Sequence, residues 1–524
     1  MEILSMCSKR SLALWLALLA TRVAAAPIPA IAYHDIVEQR GADEFAVTVA
    51  EFQQQMEYLH DEGYTPISLR QLDAAHRGVA TLPHKPVLLS FDDGLASFEH
   101  YALPVLRNYG YPVLLAVVSA WVDGRAAPEH YSGRLLSWDA LRQIAARGDV
   151  EIISHSDNLH RGLRSNPQGN LAPAGITREY SAQGRYESEA EFRQRVRADL
   201  THARQRLLTN LKHAPLAIAW PYGQCDAILI EEAAKLGMTY HLTLEDSPSQ
   251  LEDLPRINRT TFYRYRRLAD FDNMLTLHKW HRQQQRFVEV ALDEFAGLTP
   301  KAQEQRLSAL LARLELLRVN GVIVRPFSHD TTKAFFPNPR VPLATEMLNR
   351  VLHQIRARLH VDHLYLRLPV LPDAKTRSAV YRELARLNRF SGIMVEGTPP
   401  IAEASALVAL FRRYNPTVQI GFSVDALQPA GADFVWTEFA ATDPAAIIEK
   451  RATAVLAGGG RVLFVLQRPS ELVDAQLVAA MQALRRAGAL HYGYSNDEFI
   501  GDRPALTSIS RELNAHVITD KETH

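Results

Sequence analysis

Cysteine is nearly absent. Cys7 and Cys225 are the only two in 524 residues, too few for a disulfide framework, so stability must come from packed cores. An excess of one charge is absent as well. Lys plus Arg and Asp plus Glu both number 58, which excludes the global basic footprint of a nucleic-acid binder. No apolar run reaches the ~18–20 residues that cross a bilayer. Charged residues make up 22% and hydrophobic ones 47%, which excludes a disordered chain. What remains is a globular chain, and at ~100–200 residues per domain its length allows two to four domains.

The N-terminus reads as an export signal over residues 1–26. Lys9 and Arg10 precede the apolar stretch from Leu12 to Ala20, and Ala24-Ala25-Ala26 follows before Pro27. A charged end, a short apolar core and small residues at a cleavage point make a secretory signal peptide. Cys7 lies before the apolar core, so it is not placed to accept a lipid. The expected location is the periplasm or the exterior.

Two α/β segments follow. Strand candidates in the first are Ile28–Tyr33, Val87–Phe91, Val113–Val118, Val150–Ser154, Ala217–Trp220 and Tyr240–Leu244. Thr48 and Glu51 are spaced as a capping box, with Phe52, Met56 and Leu59 recurring at helical spacing. Alternating strands and helices predict a parallel sheet covered by helices. The polar stretch around Arg266 to Arg286 predicts a closing helix and a linker, which puts the domains at 27–268 and 286–524 and the linker at 269–285. The second segment carries eight strand candidates: Phe287–Ala291, Val322–Pro326, His363–Leu371, Ile393–Glu396, Val418–Val424, Phe434–Glu438, Arg461–Leu466 and Leu490–Tyr494. Eight parallel β/α units close into a barrel. The stripe Leu307, Leu310, Leu311, Leu314 and Leu317 predicts a helix that stops at Asn320-Gly321.

Chemistry gathers at strand ends in the first segment. Val87 to Phe91 runs into Asp92-Asp93-Gly94. Adjacent side chains point in different directions, so one acid can bind a cation while the other faces a substrate. The strand Val150–Ser154 ends at His155, with His160 five residues on. On a helix these would lie about 140° apart, but a turn lets them converge. With Asp93 they form a two-His, one-carboxylate set suited to Zn²⁺, Fe²⁺, Co²⁺ or Ni²⁺. Trp220-Pro221-Tyr222-Gly223 brackets a tight turn that exposes the Tyr222 N–H as an oxyanion donor. Tyr33-His34-Asp35 is a fourth polar cluster after an apolar strand.

These motifs resemble the NodB-homology polysaccharide deacetylases. Because His34 precedes the acid pair, the order is similar to the circularly permuted exopolysaccharide deacetylases of the PgaB type. Glu62-Gly63-Tyr64-Thr65-Pro66, Ser119-Ala120-Trp121-Val122-Asp123 and Ser137-Trp138 fit the same pattern. The resemblance covers about residues 27–265 and implies a metal-dependent hydrolase of N-acetyl groups on poly-β-1,6-N-acetyl-D-glucosamine, a biofilm polymer. It implies Asp93, His155 and His160 as holders of the divalent ion, Asp92 as general base, Tyr222 as oxyanion donor and His34 as general acid. An outer-membrane export porin is a further candidate partner, and nucleic acid is not one. Chitin or peptidoglycan-type glycans are the alternative substrates, and a glycan-binding export scaffold the alternative role.

The same family carries a glycoside hydrolase-like (β/α)8 barrel, which residues 286–505 resemble through Ala334-Phe335-Phe336-Pro337-Asn338, Leu368-Pro369-Val370-Leu371 and Tyr492 to Phe499. The expected fold is therefore α/β, a permuted deacetylase barrel followed by a second barrel. Where the family follows the fourth strand with a His-Asp-Asp run, this chain reads Glu396-Gly397-Thr398. The missing aspartates predict a barrel that binds polymer rather than cutting it. Glu396, Asp425 and Glu438 would hold a cationic polymer, and Phe327, Phe335, Phe336, Trp436 and Tyr494 would stack on sugar faces.

Overall fold

A computed structural model describes residues 27–245, 249–262, 268–276, 284–359, 361–371 and 373–515. The export-signal reading of residues 1–26 lies outside the described residues. Among those described, no helix is long and apolar enough to cross a membrane. The chain divides into two compact units. One takes its described residues from 27–158, 200–223 and 236–276, the other from 159–199, 224–235 and 284–515.

The first unit is built on a parallel sheet. Its main strands are β1 (Ala30–Tyr33), β2 (Pro86–Phe91), β3 (Val113–Val117), β4 (Val150–Ser154), β5 (Ala217–Ala219), β6 (Tyr240–Thr243), β7 (Arg256–Asn258) and β8 (Thr260–Thr261). Their spatial order is β7-β6-β5-β4-β3-β2-β1-β8, and Thr65–Pro66 pairs beside β2. β7 and β8 are the two ends of this order, yet only Arg259 separates them in sequence. The sheet therefore curls until its edges nearly meet, the nearly closed barrel that the motif order implied.

Successive strand residues face opposite sides. Val87, Leu89 and Phe91 enter one core with Val113, Leu115 and Val117, whereas Leu88, Leu114 and Ala116 enter another. With both faces covered, the strands read as unbroken apolar runs. The capping box is present: Thr48 and Glu51 cap Val49–Asp61, which buries Phe52, Met56 and Leu59. The boundary at 268 needs correction. Helix Leu268–Thr276 buries Phe271, Met274 and Leu275 in the first core, so the expected linker begins as packed structure. Residues 159–199 and 224–235 also depart from the expected division. They belong to the second unit, where Asn166 Nδ2 donates to Asn349 Oδ1 at 2.9 Å and Arg413 Nη1 to Glu231 Oε1 at 2.9 Å.

The second unit contains a closed barrel of β9 (Gln285–Ala291), β10 (Gly321–Arg325), β11 (His363–Leu368), β12 (Gly392–Val395), β13 (Gln419–Ser423), β14 (Phe434–Ala440), β15 (Val462–Gln467) and β16 (His491–Ser495). All eight expected strands are present, each within a few residues of its expected bounds. Phe287, Ile323, Tyr365, Met394, Phe434, Trp436, Leu463 and Val465 form an interior cluster. Gly421 makes room there, because a Cβ would stand 2.0 Å from the Phe434 ring. The helix predicted to stop at Asn320-Gly321 ends earlier, at Leu317, with Arg318 in the left-handed region. Gly321 is instead the first residue of β10.

His363 and His491 begin β11 and β16, at the N-terminal ends of the barrel strands. Burial, reinforced by Arg461, pushes both from 6.5 down to about 4. A base depressed in the folded state costs nothing above its unfolded value. Stability is lost as pH falls from 6.5 towards 4, because the unfolded chain takes up protons first. For buried His491 the shift is on the order of 3 kcal/mol. Urea titrations of the wild type should weaken across this window, and His491→Gln should flatten the slope. An equal slope in both proteins would remove His491 from the account.

Candidate functional site

Four strands of the first sheet deliver polar side chains from their C-terminal ends, where open α/β sheets bind ligands. β1 ends at Tyr33 and presents His34. β2 ends at Phe91 and presents Asp92 and Asp93. β4 ends at Ser154 and presents His155, and the turn after β5 presents Tyr222. The turns are tight. Asp93, Ser156 and Tyr222 have φ of 73°, 71° and 58°. Non-glycine residues pay for that left-handed backbone, and such outliers gather at functional sites. In the last turn Gly223 is required, since a Cβ would stand 2.3 Å from Leu244 Cβ.

Asp93, His155 and His160 each offer a ligand atom, all within 4.8 Å of one another. Two imidazoles and one carboxylate suit a divalent transition-metal ion and leave coordination positions open. His155 is buried, with its Nε2 3.5 Å from Asp93 Oδ1. Its Nδ1 lies 2.7 Å from Ala219 O, a contact of the kind that orients a ligating imidazole, and its Nε2 is the nitrogen on the Asp93 side. The Tyr131 hydroxyl donates to Asp93 Oδ2 at 3.1 Å.

Asp92 takes a different partner. Arg259 grips it in a fork, Nη1 to Oδ1 at 2.7 Å and Nη2 to Oδ2 at 2.9 Å. Arg259 Nη1 also donates to Ser90 Oγ at 3.0 Å. Burial opposes the Asp92 charge, but Arg259, His155 and His34 outweigh it and hold the carboxyl below its ordinary range. The cation set and a charged acid thus stand side by side on one strand end. His34 is within electrostatic reach of Asp92, and the Tyr222 ring within reach of Asp93, which together with burial raises the phenol. The six residues singled out in the first segment therefore converge.

Sequence reasoning missed Arg259 and Tyr131. Arg259 carried little signal, since its stretch Ile257-Asn258-Arg259-Thr260-Thr261-Phe262 is mostly polar. It also left Asp157 without a role. Asp157 accepts from Ser119 Oγ at 2.6 Å and Arg125 Nη2 at 3.1 Å, and lies 3.0 Å from His202 Nδ1. It ties the turn that carries the histidines to the segment after β3.

In the second unit a polar layer lies two residues beyond the last interior-cluster residue on each of six strands, which keeps it on the inner face. It comprises Glu289, Arg325, Arg367, Glu396, Glu438 and Gln467. Arg367 Nη1 donates to Glu289 at 2.9 Å, and its nitrogens also reach Glu396 and Glu438. Arg325 binds Glu289, and Gln467 donates to Glu438 at 2.7 Å. Glu396 and Glu438 are therefore together, each already accepting from an arginine. Asp425 is exposed on the loop after β13. The aromatic expectation needs correction. Phe327, Phe335, Phe336, Trp436 and Tyr494 are all buried. Trp436 Nε1 donates to Val395 O and the Tyr494 hydroxyl to Asp497, so these rings fill the core and present no face to a sugar.

Residues 80–241, which hold the acid pair, both histidines and the Tyr222 turn, match the polysaccharide deacetylase family. Residues 289–386 match hypothetical glycosyl hydrolase family 13. The chain carries a polysaccharide deacetylase domain and a glycosyl hydrolase-like domain. It is 30% identical to a poly-beta-1,6-N-acetyl-D-glucosamine N-deacetylase of Escherichia coli strain K12, over 65% of this chain and 53% of that protein. A Staphylococcus aureus protein of the same name is 23% identical over 38% of this chain and 62% of its own length. The chain thus spans 53% and 62% of these two curated relatives. Among solved structures, a de-N-acetylase from Aggregatibacter actinomycetemcomitans is 31% identical, covering 47% of this chain and 99% of that one, with a TM-score of 0.45.

Proposed function

We propose that the protein is a metal-dependent hydrolase that removes N-acetyl groups from an exported β-1,6-N-acetylglucosamine polysaccharide, and that its barrel binds the polymer. The observation that carries the reading is the pairing of an Asp93–His155–His160 ligand set with a neighbouring charged acid, Asp92, on the strand ends of a deacetylase domain. A divalent ion held there, of the Zn, Ni, Co or Fe kind, supplies Lewis-acid polarisation of the amide carbonyl and acidifies a bound water. Asp92 accepts the proton of the attacking water. Arg259 keeps Asp92 ionised and aimed. The Tyr222 N–H donates to the developing oxyanion. His34 gives its proton to the departing amine, leaving a free glucosamine amine and acetate. The export signal read in residues 1–26 puts this reaction in the periplasm or outside, where an export porin is a fitting partner.

The barrel reading rests on the polar layer. Glycoside hydrolysis needs one carboxyl as proton donor and a second across the bond. Glu289, Glu396 and Glu438 are all engaged as acceptors by Arg325 and Arg367. Three carboxylates against two guanidiniums leave a net negative charge at the mouth, which with Asp425 suits a polymer that turns cationic as it loses acetyl groups.

The test is acetate release from β-1,6-N-acetylglucosamine oligomers, with reducing ends counted alongside. The wild type should release acetate without new reducing ends. Asp92→Asn should slow release roughly 100-fold or more while keeping the metal. Undiminished release by Asp92→Asn would refute the assigned base, and new reducing ends from partly deacetylated polymer would refute the barrel reading.

A further inference from the structure

A cavity of about 390 Å³ opens in the first unit, outside the ligand set. Its walls grow out of the reactive centre. Asp35 follows His34. Ser97 lies four residues beyond Asp93, and Arg134 three beyond Tyr131. The Ala96 N–H donates to Arg134 O at 2.7 Å, tying two of these walls together. Four residues of chain reach at most about 14 Å, so these walls stand within that span of the residues of the centre, a span that an extended polymer covers.

The lining is charged in a particular way. Asp35 is 1% exposed, and one of its oxygens is paired with the Arg134 guanidinium. Its other oxygen, Oδ1, has no hydrogen-bond partner among the described residues. A buried acceptor left without a donor is destabilising. Glu38 stands exposed at the rim and accepts from the Tyr101 hydroxyl at 3.1 Å. Two carboxylates thus face one guanidinium, which leaves one negative charge when the rim residue His100 is neutral. Ile36 contributes an apolar wall and Ser97 a hydroxyl. Apolar walls with a few polar groups are what a small-molecule or sugar site presents.

We propose that this cavity is a subsite for the hexosamine that flanks the reacting one, and that it favours a flanking unit whose amine is already free. The inference rests on the deacetylase reading above and deepens it. An ammonium group brings a positive charge to offset the excess carboxylate and a donor for Asp35 Oδ1. An acetamido group brings one N–H, no charge and an added methyl. Each deacetylation then prepares the next, so free amines accumulate in neighbouring units rather than at random along the chain.

The test compares two β-1,6-linked oligomers of equal length with metal-loaded full-length protein. One is fully acetylated and the other carries a single glucosamine. Acetate release should show kcat/KM about fivefold higher for the second, the scale of one exposed ion pair. The preference should shrink at high salt. Glu38→Gln and Asp35→Asn should each bring the ratio towards one. Glu38 is at the surface, so its variant remains informative if loss of the buried Asp35 charge impairs folding. Equal rates on both oligomers, or a full preference retained in Glu38→Gln, would overturn the subsite. Release from neither oligomer would overturn the deacetylase reading itself.

Discussion

Asp93→Ala and His155→Ala should each lose the bound metal and release acetate on the order of 1,000-fold more slowly than the wild type, because residues acting as one unit fail together. The expectation follows from the geometry of the set. With three ligand atoms within 4.8 Å of one another, removal of one leaves two, too few to compete with water for the ion. His155 has a second commitment, its Nδ1 contact with Ala219 O, which fixes the ring. His155→Asn should therefore fail nearly as badly as His155→Ala, since an amide does not hold the same nitrogen towards the ion. Metal content after dialysis and acetate release on the same samples provide the measurement. A variant that keeps both would mean the ion is held elsewhere.

Arg259→Met should destabilise the protein by about 3–5 kcal/mol, the usual cost of leaving a buried charge without its partner. Both groups are buried: the Arg259 side chain is 0% exposed and that of Asp92 2%. Removing the cation alone strands the carboxylate, and the methionine cannot satisfy Ser90 either. The double variant Arg259→Met/Asp92→Asn removes the stranded charge as well. It should recover much of the stability in urea while remaining inactive, a coupling that a double-mutant cycle reads directly. A single variant as stable as the wild type would show that the fork contributes nothing.

Much of this was legible in the residues. The strands were found because parallel strands covered on both faces spell continuous apolar runs, as in Val87 to Phe91. The candidate site residues stood out because polar side chains cannot continue such a run and mark its end. Arg259 was not legible in that way, because its partner Asp92 lies 167 residues away and sequence shows no long-range pairing. The barrel mouth was read in part for the same reason. Glu396 and Glu438 stood out as strand-end acids, whereas their pairing with Arg367 joins different strands and left no mark in the sequence. The aromatics misled because a ring at a strand end reads alike whether it faces sugar or fills a core. Burial decides, and burial depends on which glycines lie opposite, as Gly421 does for Phe434. The interleaving of the two units along the sequence was also hidden, since a polar linker marks a boundary only between contiguous stretches.

The curled sheet has a seam where its two edges approach each other. The single residue between its two edge strands is Arg259, the same residue that grips the proposed base. Asp93 and His155 belong to strand ends further from that seam, towards the middle of the sheet order. Gentle warming that frays the edges would release Asp92 before it disturbed the ion. Acetate release would then stop while the protein stayed fully metallated, with the closure of its outermost strands acting as an interlock on the proposed chemistry.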